Sequence, residues 1–272
     1  MNTHIATPEN KKPATPIQEV RSLMASKEYQ NQILNYFKGH REEAMAFLTA
    51  SVEYVRRVPK LLETSRQSLL SALMISAQFR FMPSGVSGEA YIIPYGSEAK
   101  FQLGYQGIVT LLYRTAKIDG ISANIVYEND TFEYEEGLDA KLIHKPTPFG
   151  KEKGKAIGVY TVAQMTGGAK TFKVMSESDV MAIKAMSKAK DSKESPWNSK
   201  DPEKWMWKKT CLIQHAKLLP KTQELQQAIA KDFEGEGLKK PTLDAGGVAV
   251  GAALHTPDAE VIPEDPDNKD AR

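Results

Sequence analysis

The chain has one cysteine, Cys211, in 272 residues, and its longest markedly apolar run is "LLSALMI" at 69–75. A lone cysteine excludes an internal disulfide and a cysteine-based zinc site, and it fits a reducing compartment. The apolar run is far short of the roughly 20 residues a spanning helix needs. The N-terminus is polar without a signal-peptide pattern, so the expectation is a cytoplasmic protein with no membrane partner. Catalytic signatures are missing too. His4, His40, His144, His215 and His255 are scattered with no HExxH, and neither GxSxG nor GxGxxG occurs. "GGAKT" at 167–171 lacks both the upstream glycine of a phosphate loop and the glycine before its lysine. Glu133, Glu135 and Glu136 read as a solvated strand edge rather than a paired acid site. No metal, nucleotide or other cofactor is implied.

What is present is a divided charge. The formal net charge is +2, yet Asp232–Arg272 holds ten acidic residues against four basic ones, which leaves residues 1–231 at +8. A basic body attracts a polyanion and an acidic tail can hook a partner, while both also serve solubility.

Residues 1–16, polar with three prolines, read as a disordered N-terminal tail, and 233–272 as a flexible acidic C-terminal tail. The folded part is then a single domain over 17–232. Helices are expected at 17–37 and 41–57, the second with a stripe of Met45, Leu48, Val52 and Val55, and Arg56 and Arg57 at its end. Those arginines suit either the helix dipole or an anion. Ser65 caps a third helix with Leu69, Leu70, Leu73 and Ala77 buried and Pro83 as its stop. β-prone runs follow at 89–95 and 100–105 around "GSEA", at 121–127 and 131–135 around "ND", and at 155–165 and 169–175 around "TGG". Helices return at 176–188, 202–218 and 222–231, the middle one opened by Asp201-Pro202-Glu203. The fold class is α+β: antiparallel β-hairpins packed with a central helix and flanked by helical segments.

Two stretches stand out. On a helix from Tyr105 to Lys117, Ile108, Leu111, Leu112 and Thr115 share one face, and Gln106, Thr110, Tyr113, Arg114 and Lys117 the other. Lys100 and Gln102 alternate with Phe101 and Leu103 on the strand before it. Gly104 and Gly107 allow close approach of a neighbouring backbone or a ligand, whose phosphate the first helical amides would meet. This face reads as a nucleic-acid groove or as an ordinary solvated helix face. The second stretch is 195–220, a helix apolar nearly all round, which should push Lys208, Lys209 and Lys217 to a rim. Trp197, Trp205 and Trp207 are core anchors or base-stacking rings, and Trp197, in a loop beside Pro196, is the leading stacking candidate.

Five motifs in order resemble the RecT family of phage and prophage single-strand annealing proteins: "VRRVP" at 55–59, "GEAYIIPYG" at 88–96, "FQLGYQGIVTLLYRT" at 101–115, "FEYEEGLDAKLIHKP" at 132–146 and "WKKTCLIQHAKLLP" at 207–220. The resemblance covers about 40–232. It implies ATP-independent annealing of complementary single-stranded DNA to duplex in phage recombination, without a hydrolytic active site. It further implies homo-oligomers that form filaments or rings, a partner 5′ to 3′ exonuclease and a host single-strand-binding protein, one or other of which the acidic tail would dock. It carries the family's DNA groove onto Lys100, Gln102, Tyr105, Gln106, Arg114, Lys117, Lys208 and Lys209. Ile213 and Gln214 stand where many members have one or two arginines; the related Redβ looks similar to this chain there, and Lys217 is the nearest compensation. Arg80 replaces a common glycine. The competing reading is a non-catalytic assembly module whose basic faces meet acidic tails of its neighbours.

Overall fold

The computed structural model describes residues 14–83, 87–187, 190–192 and 195–236, so most of both expected tails lies outside the described residues. The helical part opens with α1 (Pro16–Met24), α2 (Lys27–Tyr36) and α3 (Arg41–Arg57), then a short 3-10 turn and α4 (Arg66–Gln78). The single helix expected over 17–37 is two. Ser26 accepts the Tyr29 N–H at 3.3 Å and starts a fresh helix, a side-chain cap that interrupts the apolar periodicity. Thr15 and Gln18 form a capping box at the start of α1, inside the stretch expected to be a tail.

The bounds of α3 are as expected, but its buried face is rotated. Ala44, Phe47, Leu48, Ser51, Tyr54 and Val55 are buried, and Met45 is 46% exposed. The two large rings, seven residues apart, set the face: Phe47 packs on Phe37, and the Tyr54 hydroxyl donates to the Ile92 carbonyl. Ser65 caps α4 as expected, accepting from the Ser68 N–H. That helix stops well before Pro83. Arg80 turns left-handed at φ +52° and the Phe81 N–H returns to the Ser76 carbonyl, closing a Schellman turn. The strain of a non-glycine residue there is offset by the Arg80 Nε bond to the Tyr36 carbonyl.

β1 (Ala90–Tyr95) and β2 (Glu98–Leu103) form a hairpin whose turn is Gly96-Ser97 alone, followed by α5 (Tyr105–Tyr113). β3 (Ile118–Tyr127) then leads to β4 (Thr131–Glu135), β5 (Lys141–Lys145), β6 (Ala156–Met165) and β7 (Lys170–Ser176). The 155–165 and 169–175 pair is the β6–β7 hairpin, and β3 joins it in a sheet of order β3-β6-β7. The run at 131–135 pairs with β5 instead of β3. Asp130 makes the chain leave the sheet: its carboxylate accepts the Tyr127 N–H and both the N–H and hydroxyl of Thr147, with His144 Nε2 at 3.1 Å. Burial opposes ionisation of Asp130, but these bonds outweigh it and bring its pKa down to about 2.

The chain closes with α6 (Glu177–Met186), α7 (Trp205–Ala216) and α8 (Gln223–Glu236), which completes an α+β fold of antiparallel hairpins around α5. The main core joins α1–α5, β1, β2 and α8, with Ile118 of β3, Ala163 of β6 and Leu212 and Ile213 of α7. A second, smaller cluster of Ile125, Val159, Met175, Val180, Trp207 and Cys211 sits where α6 and α7 meet the three-stranded sheet. No helix among the described residues is long and apolar enough to cross a membrane.

α7 is held to β6 by His215, fully buried, whose Nδ1 lies 2.8 Å from the Thr161 hydroxyl. Burial first, then the charge of Lys173, lower its pKa from 6.5 to about 4. The fold therefore favours neutral imidazole, and the stability this contributes is complete above pH 6.5 and lost as pH falls toward 4. Urea unfolding across that window should show a decline that is shallower in His215→Gln. Equal slopes in the two proteins would remove His215 as the source.

Candidate nucleic-acid interface

The start of α5 is built by contact with Gly88 and Glu89, the two residues that lead into β1. Gly104 donates its N–H to the Glu89 carbonyl at 2.8 Å. A β-carbon on Gly104 would run into the Gly88 carbonyl, and one on Gly107 into that of Glu89. The two glycines thus serve the approach of a neighbouring strand, and they fix the side chains after them beside the outer face of the hairpin.

That face borders a groove of about 770 Å³. Tyr91 and Ile93 of β1 alternate outward, with Gln102 directly across from Tyr91, and Tyr54 comes from the last turns of α3. The opposite wall is Pro196, Ser199, Trp205 and Met206. This wall follows from an unexpected helix start. Asp201 accepts the Glu203 and Trp205 N–H groups, Lys204 turns left-handed at φ +50°, and α7 begins only at Trp205 instead of 202. Trp205, 43% exposed, packs against Tyr105 at the groove wall with ring centroids 5.3 Å apart and planes at 49°. Burial, then the neighbouring Tyr113, raise the Tyr105 phenol pKa.

The cations come with carboxylates. Lys208 Nζ lies 4.6 Å from the Trp205 ring centre and 2.7 Å from Glu203. Lys209 is the correction to the expected rim. It is buried, with Nζ 2.8 Å from the buried Asp232 Oδ2, while Asp232 Oδ1 accepts the Leu103 N–H. One ion pair therefore ties α7, α8 and β2 together beneath the groove.

Of the residues expected from sequence, Gln102, Tyr105, Gln106 and Lys209 line the groove, and Lys208 stands over Trp205. Lys100 shares the outer face with Gln102 nearer the hairpin turn, 4.9 Å from the Tyr95 ring and 3.6 Å from Glu98. Arg114, Lys117, Trp197 and Lys217 are outside the lining. Arg114 is nine residues beyond Tyr105, which places it about 13 Å along and half a turn round the helix axis. It binds the Phe79 carbonyl at 2.8 Å and Glu224 of α8 at 2.9 Å, stacked on Phe81. Lys117 is exposed past the end of α5, which stops at Tyr113, so the predicted polar face does not run as one stripe. Trp197 packs against the second cluster, where Trp207 is buried. Lys217 ends α7 and donates to Gln214, its pKa lowered by burial and then by Lys221. Ile213 belongs to the core. The residues sequence reading missed are Tyr54, Tyr91 and the exposure of Trp205. The alternation of Tyr91, Ile93 and Tyr95 was a signal for the first wall.

The sequence model of the RecT family matches residues 45–242, most of the chain and all of the groove. The chain belongs to the RecT family of recombination proteins. It is similar to the Protein RecT of Escherichia coli, 33% identical over 186 residues that cover 65% of this chain and 67% of that protein. It is also similar to the Uncharacterized protein YqaK of Bacillus subtilis, 26% identical over 123 residues, 45% of this chain and 43% of that one. Within the RecT match lie both glycines at α5, the Trp205 wall and the Lys209–Asp232 pair, whereas α1 and α2 precede it.

Proposed function

We propose that this RecT family member holds single-stranded DNA in the groove and anneals it to a complementary strand without nucleotide hydrolysis, acting in the cytoplasm as a homo-oligomeric filament or ring. The observation that carries the reading is the meeting of Gln102, Tyr105 and Gln106 from one unit with Trp205 and Lys208 from another. Amide side chains and an ammonium suit sugar-phosphate without reading sequence, and two tilted rings offer a surface for a base. Base pairing supplies the driving force, so the protein needs only to present the strand. Many weak subunit contacts on one strand would add up to firm binding. A 5′ to 3′ exonuclease and a host single-strand-binding protein fit as partners on either side of that step.

Because Lys208 is already paired with the 59%-exposed Glu203, a phosphate has to displace that carboxylate. Glu203→Gln should therefore tighten oligo(dT) binding several-fold at low salt, with the gain shrinking as salt rises. Fluorescence anisotropy at two salt concentrations measures it, and weaker binding would contradict the exchange. The function itself is tested by annealing of two complementary labelled oligonucleotides without ATP. Wild-type protein should accelerate it, and Trp205→Ala and Lys208→Gln should each slow it. Wild-type rates in both variants would contradict the groove.

A further inference from the structure

The connection from β5 to β6, residues 146–155, is outside the groove and differs from it in charge state. Lys145, Lys151, Lys153 and Lys155 flank or occupy it against a single acid, Glu152. All four are exposed, and none forms an ion pair among the described residues. Lys100, Lys208, Lys209 and Arg114 each face a carboxylate. At the crest of the same loop Phe149 is fully exposed, at 108%. One exposed ring or one bare lysine is ordinary on a protein surface. Their combination on a rigid loop is less so.

The loop is pinned on both flanks. Glu128 and Asn129 N–H groups donate to the Lys155 and Lys153 carbonyls, and the Asn129 side chain donates to that of Glu152. The Lys155 N–H returns to the Glu128 carboxylate at 2.9 Å. Thr147 is fixed to buried Asp130 by two bonds of 2.7 and 2.8 Å. Gly154, at φ +76°, presses so closely on Glu128 that a β-carbon would lie 2.9 Å from its side chain. Phe149 and the lysines are thus presented without the ordering cost of a free loop.

The loop also meets the end of β3. Lys153 Nζ sits 5.2 Å from the centre of the Tyr127 ring. Burial first, then the charges of Glu203 and Asp130, raise the Tyr127 phenol pKa.

We infer that the 146–155 loop is a second polynucleotide site, which takes the phosphodiester backbone of single-stranded DNA and stacks one of its bases on Phe149. The inference rests on the proposed binding of single-stranded DNA by this chain. The unpaired lysines release counterions without first breaking an ion pair, so this site contributes salt-dependent affinity that the compensated groove lacks. The stack adds a sequence-tolerant anchor.

The test uses the full chain and fluorescein-labelled oligo(dT) titrated across a range of salt. Lys151→Gln, Lys153→Gln and Lys155→Gln together should lower the slope of log affinity against log salt by about 2, at about 0.7 per single-strand phosphate contact. Phe149→Ala should weaken binding about tenfold, within the range for loss of one base–ring stack. Phe149→Trp should keep the affinity and add an emission signal that oligo(dT) quenches. Trp205→Ala, run in parallel, reports on the groove. Wild-type affinity and slope in both loop variants, with binding weakened in Trp205→Ala, would overturn the loop site and leave the groove standing. The same result is expected if the loop docks an acidic protein. Weakened loop variants beside an unaffected Trp205→Ala would instead overturn the groove and keep the loop.

Discussion

Lys209→Met should destabilise the protein by about 3–5 kcal/mol, read as a lower urea midpoint, because it strands a buried carboxylate. Asp232 is 2% exposed, with Lys209 as its ion-pair partner at 2.8 Å. Removing the ammonium leaves a charge out of water with a cation gone. The second substitution Asp232→Asn should recover most of the loss, since it removes that charge and keeps an oxygen to accept the Leu103 N–H. Failure of the double variant to recover would show that Lys209 acts through something other than this pair. The pair also bears on function: annealing lost in Lys209→Met mixes unfolding with the loss of a groove cation. The double variant separates the two.

Gly104→Ala should cost about 3 kcal/mol or more, a large effect for one methyl group, because the added carbon meets backbone rather than a movable side chain. The Gly88 carbonyl occupies that place, and the Gly104 N–H bond to Glu89 is lost if the two segments part. Gly120→Ala is the control. Its β-carbon would find nothing nearer than 3.9 Å, in the Gln164 side chain, so its midpoint should barely move. Equal effects at the two positions would contradict the close approach of β1 to α5. With α5 displaced, Tyr105 and Gln106 leave the groove wall, so the same variant should lose oligo(dT) binding.

Features governed by local chemistry were legible in the sequence. The Ser65 cap, the bounds of α3 and the β1–β2 and β6–β7 hairpins follow from side-chain capping, period and turn residues. Features decided by distant partners were not. Nothing local tells that residues 131–135 should leave β3 and pair with 141–145, since that depends on Asp130 meeting Thr147 and His144. Arg114 reads as a groove cation until Glu224, 110 residues on, claims it. Lys209 reads as a rim residue because the partner that lets it be buried is on another helix. The exposure of the tryptophans has a similar cause: α7 begins after the left-handed Lys204 with Trp205 exposed, and the second cluster takes Trp197. The cavity lies between the two expected units, with Lys208 and Lys209 each paired to a carboxylate and with Tyr54, Tyr91, Tyr105 and Trp205 in its walls.

The most direct measurement is a density map of the full chain bound to oligo(dT). The account predicts a strand in the groove, with backbone density within hydrogen-bond reach of Gln102 or Gln106 and of Lys208, a base against Tyr105 or Trp205, and Glu203 turned away from Lys208. A strand bound on another face, with the groove empty and the Lys208–Glu203 pair intact, would contradict it.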